Sequence, residues 1–160
     1  MRRHLLSQTA ANPLFLHAMA KNALDCEPPL GKIRDFLTDL EPGHPGKIDL
    51  KKYGSRIFVD VARIYAMAAG VHNTNSIHRL RLAAQRLSIR SEEINAVLEG
   101  MNFIQLLRLQ HQYLEGEPGT QGDNLIDPEK LNELDRRILK ESFRQARKIQ
   151  TRLKLDYQVN

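Results

Sequence analysis

Apolar residues recur at steps of three and four along most of this chain. That spacing places them on one face of a helix. The densest block is Asp49–Val71, DLKKYGSRIFVDVARIYAMAAGV. Its first half is charged. From Ile57 to Ala69 only Asp60 and Arg63 interrupt a set of apolar residues that covers every side of a helical wheel, which predicts a helix buried on most faces. Gly70 ends it, where a left-handed residue is cheapest. Asp60 and Arg63 stand three apart on one face and can pair. In so apolar a helix the pair reads either as an internal strut or as the floor of a polar pocket.

The other elements follow from caps and breakers. Asn12-Pro13 is a cap followed by proline at the first helical position. It opens a helix to about Leu24, with Leu14, Phe15, Ala18 and Met19 at helical spacing. Pro28-Pro29 breaks it. A short helix is expected from Leu30 to Leu40, with Ile33, Phe36, Leu37 and Leu40 inward, and Glu41–Gly46 is a turn by composition. After the block around Ile57, the capping residues His72–Ser76 predict a helix to about Leu87, buried through Ile77, Leu80 and Ala84. Ser91 with Glu92 and Glu93 starts another, to about Leu114, whose apolar set is Ile94, Val97, Leu98, Met101, Ile104, Leu107 and Tyr113. Gly116–Asp123 is a glycine-rich connection and Asp127-Pro128 starts a short helical turn. A final helix runs from about Glu133 to Tyr157, burying Leu139, Phe143, Ala146, Ile149, Leu153 and Tyr157. No segment sustains period-two alternation, so no strand is expected. The fold class is all-α, an up-and-down bundle of five to seven helices.

With 160 residues, 41% hydrophobic and 27% charged, the chain reads as one globular domain, 1–160, with an ordered core over about 10–157. No apolar run reaches the ~18 residues of a membrane span, so no membrane partner is expected. The opening MRRHLLSQTAANP lacks the apolar stretch of a signal peptide. Cys26 is the one cysteine, so no internal disulfide can form, and a reducing, bacterial cytoplasmic setting is expected. A lone cysteine ordinarily packs rather than reacts. Net charge is +5, and residues 1–80 carry 11 Lys and Arg against 7 Asp and Glu while residues 81–160 carry 13 against 12. The excess lies near the Asp49–Val71 block and suits an anionic partner: nucleotide, phosphate, nucleic acid or an acidic protein surface.

Complete catalytic signatures are missing. His4, His17, His44, His72, His78 and His111 are scattered, with no helical zinc-pair spacing, so no metal site is expected. A polymerase-β-type nucleotidyltransferase would follow a Gly-Ser turn with two carboxylates one residue apart, which hold the metals for phosphoryl transfer. Here Gly54-Ser55 is followed by Asp60, but position 62 is Ala62, and no catalytic residue is expected in this chain. Leu82–Leu98 has the outline of a helix-turn-helix. Glu92 and Glu93 would then face phosphates at the start of the recognition helix, which argues for a hairpin inside a bundle and against DNA.

Several blocks, in order, carry a family resemblance. They are Asn12-Pro13-Leu14-Phe15, Pro28-Pro29-Leu30-Gly31, Asp49-Leu50-Lys51-Lys52 and Asp60-Val61-Ala62-Arg63-Ile64-Tyr65-Ala66. Asn73-Thr74, Arg79-Leu80, the run from Phe103 to Gln112, Asn124–Pro128 and Leu139–Phe143 continue the series. Over roughly residues 10–157 the chain resembles the nucleotidyltransferase substrate-binding domain. That domain is found at the C-terminus of bacterial signalling proteins that also carry CBS or cyclic-nucleotide-binding domains and a nucleotidyltransferase domain related to protein-PII uridylyltransferase. The resemblance implies a helical bundle of that type and a partner catalytic domain in cis, N-terminal to this chain. It implies no cofactor for this chain, and magnesium with a nucleoside triphosphate for the parent protein. The implied function is a non-catalytic substrate-binding module, for a nucleotide or an acidic protein. The alternative is an interaction module coupling regulatory domains, in which a homodimer is admitted.

The candidate substrate-binding residues are Lys51, Lys52, Arg56, Asp60, Arg63, Asn73, Arg108 and Gln112. Lys51, Lys52 and Arg56 read as a phosphate-facing patch or as ordinary solvated charges. Asp60 and Arg63 are a buried pair or line a cleft. Asn73 and Thr74 are caps or ligand contacts. Arg108 and Gln112, four apart on one face, can join the same polar cleft. The basic positions Arg136, Arg137, Lys140, Arg144, Arg147, Lys148 and Arg152 of the last helix read as its solvated face.

Overall fold

A computed structural model describes residues 12–31, 35–115 and 123–159. Among them are five α-helices: α1 (Pro13–Leu24), α2 (Arg56–Ala68), α3 (Ser76–Arg86), α4 (Ser91–Glu115) and α5 (Glu133–Asp156). Each N-terminus with a side-chain cap is set as its sequence dictates. Asn12 accepts from the Phe15 amide, Asn75 from Ile77 and His78, and Asn132 from Asp135. α2 ends at Gly70, whose φ of +64° is the left-handed stop expected of it.

α2 is the centre of the core. Ile57, Phe58, Val61, Ala62, Ile64, Tyr65 and Ala66 are all buried, and α1, α3 and α5 pack around it. α4 and α5 run antiparallel, with Gly100 facing Ser142 and Glu93 facing Arg152. A Cβ at Gly100 would come 3.1 Å from the Ser142 Cα, so glycine is what lets the two long helices approach this closely. Leu139, Phe143, Ala146, Ile149 and Leu153 of α5 are buried as their spacing predicts.

The structure corrects the sequence reading at five places. Among the described residues of the Leu30–Leu40 span, which leave out 32–34, no helix forms. Leu30 instead bridges Phe36 and Asp39 bridges Lys47, while the Leu37 amide donates to the Pro29 carbonyl. Pro28 and Pro29 cannot donate backbone bonds and favour extended chain. Phe36 is buried, but Leu37 and Leu40 are exposed, and Ile33 lies outside the described residues. Two short strands do exist: β1 (Ile48–Asp49) pairs antiparallel with β2 (Leu125–Ile126), too short for any alternation to be seen. On α1 the buried face is Leu16, Ala20 and Ala23, whereas Leu14 is 82% exposed. Tyr113 is exposed rather than part of the α4 core. Asp60 and Arg63 pair at the surface, because the unbroken apolar set lies on the opposite sides of α2. The Gly116–Asp123 connection lies outside the described residues except for Asp123.

One polar network ties three helices together. The Tyr65 hydroxyl donates to Asp156 at 2.7 Å, and Arg152 reaches both Asp156 and Glu93. Burial, and then the Asp156 carboxylate, push the Tyr65 phenol far above its ordinary value; burial and Asp156 push Tyr157 up to about 12. Above pH ~10 an unfolded chain releases these protons while the folded chain keeps them. Stability is therefore full below pH ~10 and declines as pH rises from there toward the folded-state values. Tyr157→Phe should reduce this alkaline loss, read as urea midpoints on either side of pH ~10; an equal decline in both proteins would refute the assignment.

Candidate functional site

Before α2 the chain makes one π-helical turn, Lys51–Ser55. The Asp49 carboxylate starts it by accepting the amides of Lys51 and Lys52, at 2.8 and 3.0 Å. The turn is held from behind by α4. Arg108 donates to the Ser55 hydroxyl at 3.0 Å and to Asn124 Oδ1 at 2.8 and 3.0 Å, and Gln112 donates to the same Asn124 oxygen. Arg108 and Gln112 do share a face, but they clamp the turn; they do not line a cleft with Asp60.

In front of the turn lies the chain after α1. Cys26 Sγ donates to the Lys52 carbonyl at 3.3 Å. Burial raises the Cys26 thiol above its ordinary value, against the opposing pull of Arg56 and Lys52. Two hollows flank this point. The smaller, about 250 Å3, is lined by Met19, Asn22, Ala23, Arg56, Asp60, Arg63 and Ile64. Asp60 receives Arg56 Nε at 3.4 Å and Arg63 Nη1 at 3.3 Å. The two arginine side chains are 54% and 45% exposed, Asp60 20%. Two guanidiniums on one carboxylate leave one net positive charge on the rim.

The larger hollow, about 1220 Å3, runs between the Pro28–Pro29 segment, Phe36–Leu40, Tyr53 and Arg147. The Arg147 guanidinium holds its wall by donating to the Pro28 and Leu30 carbonyls, at 3.4 and 3.3 Å. Lys52 stands over the Tyr53 ring, 4.9 Å from its centre, and pairs with Glu41. Lys52, and then Tyr53, hold the Glu41 carboxyl below its ordinary range, and Glu41 in turn raises the Lys52 ammonium.

The structure thus gathers Lys52, Arg56 and Asp60 around Cys26, with Arg63 paired to Asp60 and exposed Lys51 on the same turn. Asn73 is not among them. It lies past the other end of α2, where its side chain accepts the Asn75 amide and its carbonyl accepts Arg79 Nε. The last helix is less free than its charge pattern suggests. Arg136 and Lys140 pair with Asp35, and Arg152 with Glu93. Arg137 and Arg144 keep to local surface pairs. Sequence reasoning missed Asn22, Tyr53 and Arg147 as lining residues. Only the position of Tyr53 inside the lysine block could have pointed to one of them.

The family described as "Putative nucleotidyltransferase substrate binding domain" matches residues 13–157. The chain belongs to this family. Its match begins at the first residue of α1 and ends just past α5, so every element of the bundle is part of the substrate-binding domain. No curated protein and no solved structure gives a significant match to it. Among the described residues of this domain, no three His, Cys, Asp or Glu side chains converge as a metal site, and no helix is long and apolar enough to cross a membrane.

Proposed function

We propose that this domain is the non-catalytic substrate-binding module of a nucleotidyltransferase, working beside a catalytic domain in cis of the protein-PII uridylyltransferase-like kind. The observation that carries this reading is the Arg56–Asp60–Arg63 rim, net positive and open, beside a cleft large enough for a ligand. Exposed cations at a hollow attract phosphate or carboxylate groups, and arginine grips both through paired N–H donors. The anionic part of the substrate would sit on this rim, with Lys51 and Lys52 adding to its field. Magnesium and the nucleoside triphosphate of the transfer reaction would be organised by the catalytic domain, since Ala62 stands where a second carboxylate would be needed. CBS or cyclic-nucleotide-binding partners and a bacterial cytoplasmic setting complete the proposal.

The test is a thermal-stability titration of the chain with ATP, UTP and GTP, with and without magnesium. Ligand at 100 times its dissociation constant should add roughly 2.7 kcal/mol. The shift should be lost in Arg63→Ala or Arg56→Ala and kept in Arg144→Ala, an exposed control on α5. No shift with any nucleotide would refute nucleotide binding by this domain alone.

An interaction module is the second reading. It is favoured by large apolar side chains left open on the outer side of α4, Leu106, Leu109, Tyr113 and Leu114 among them.

A further inference from the structure

The C-terminal half of α4 carries apolar residues well beyond the face it buries. Ile104 and Leu107 face the core. Leu106, Leu109 and Tyr113, at steps of three and four, form a second stripe facing outward, 52%, 64% and 87% exposed. Leu114 is 80% exposed. The antiparallel pairing of α4 with α5 brings Leu134 and Ile138, 66% and 36% exposed, alongside the same half of α4.

The stripe is also nearly without charge. Charged residues make up 27% of the chain, but Met101–Leu114 holds a single Lys, Arg, Asp or Glu. That residue is Arg108, and its guanidinium is turned to Ser55 and Asn124. The flanking outward positions are amides, Asn102, Gln105 and Gln110. Charge depletion with an exposed aromatic residue is the composition of an interface core.

We infer that this outer face of α4 is where two copies of the chain meet, helix against helix across a two-fold axis. Charge and area both favour a second copy as the occupant. Two chains of net charge +5 repel, and the α4 stripe turns no lysine or arginine outward toward its own symmetry mate. The open apolar side chains expose on the order of 700 Å2, close to the roughly 800 Å2 per partner of a standard interface. A two-fold contact uses the patch twice, and so closes without leaving a second apolar face to polymerise. This face is independent of the anion rim, which lies on α1 and α2.

Sedimentation equilibrium of the full chain across micromolar concentrations tests it. The expected mass moves from one chain toward two as concentration rises. Leu109→Lys with Tyr113→Lys, both at exposed positions, should weaken association at least about tenfold, with circular dichroism and thermal midpoint confirming the fold. Leu155→Lys, an exposed site near the far end of α5, should leave it unchanged. A one-chain mass at every concentration would overturn the inference and leave the stripe to a different protein or domain. So would a dimer indifferent to Leu109 and Tyr113.

Discussion

Phe143→Ala should destabilise the fold by about 3–5 kcal/mol, the range for deleting a buried phenylalanine ring. Phe143 is fully buried in the middle of α5. Its ring meets Phe36 edge-on, with centroids 6.1 Å apart at 76°, and it lies 3.6 Å from the position a Cβ would take on Gly54. One side chain therefore supports three things: the α4–α5 pair, the π-helical turn and the Phe36 wall of the large cleft. At this size the expected loss corresponds to a midpoint roughly 10 °C lower. Phe36→Ala should cost less, and the double variant less than the sum, because the aromatic pair, worth about 0.5–1.5 kcal/mol, is lost only once. A loss for Phe143→Ala well under about 1 kcal/mol would mean that the ring does not fill this core.

Asn124→Ala is expected to cost about 2–3 kcal/mol and to leave anion binding nearly unchanged. The Asn124 side-chain oxygen accepts two bonds from Arg108 and one from Gln112. Removing it strands a half-buried guanidinium, and hydrogen bonds to charged groups are worth about 1.5–3 kcal/mol each. Arg108→Ala should cost a similar amount, with the double variant little worse than either single one. Urea denaturation of the three variants reads this directly. Near-neutral stability combined with weaker nucleotide binding would reverse the assignment, making Arg108 and Gln112 ligand contacts instead of a brace.

All five helices were legible because their signals are local, α2 through its apolar run and the Gly70 stop. A cap followed by proline starts α1, Asn75 starts α3, and steps of three and four mark the buried faces of α4 and α5. What escaped the sequence depends on distant partners. Leu30–Leu40 reads as a helix by spacing, yet its described residues answer to partners more than a hundred residues later, Arg147 at the Leu30 carbonyl and Phe143 at the Phe36 ring. The β1–β2 pair joins residues 48–49 to 125–126 and leaves no periodic trace. The Asp60–Arg63 spacing correctly implied a shared face, but the wheel was so uniformly apolar that it could not say which side met solvent. The same ambiguity hid the second stripe of α4, since outward and inward leucines look alike until α5 covers one set.

The site was half legible. Lys51, Lys52, Arg56, Asp60 and Arg63 are close in the chain, so one turn and one helix bring them together. Asn22 and Arg147 come from α1 and α5, and only packing places them beside that cluster.

The most direct test of the anion rim is to follow the amide resonances of the 15N-labelled chain during titration with inorganic triphosphate, which carries the charge without a base. The expected result is a saturable shift confined to the amides of residues 22–26 and 56–64, abolished in Arg63→Ala. Shifts centred on Arg136–Arg152 of α5, or none that saturate, would contradict the rim as the place where this domain receives its substrate.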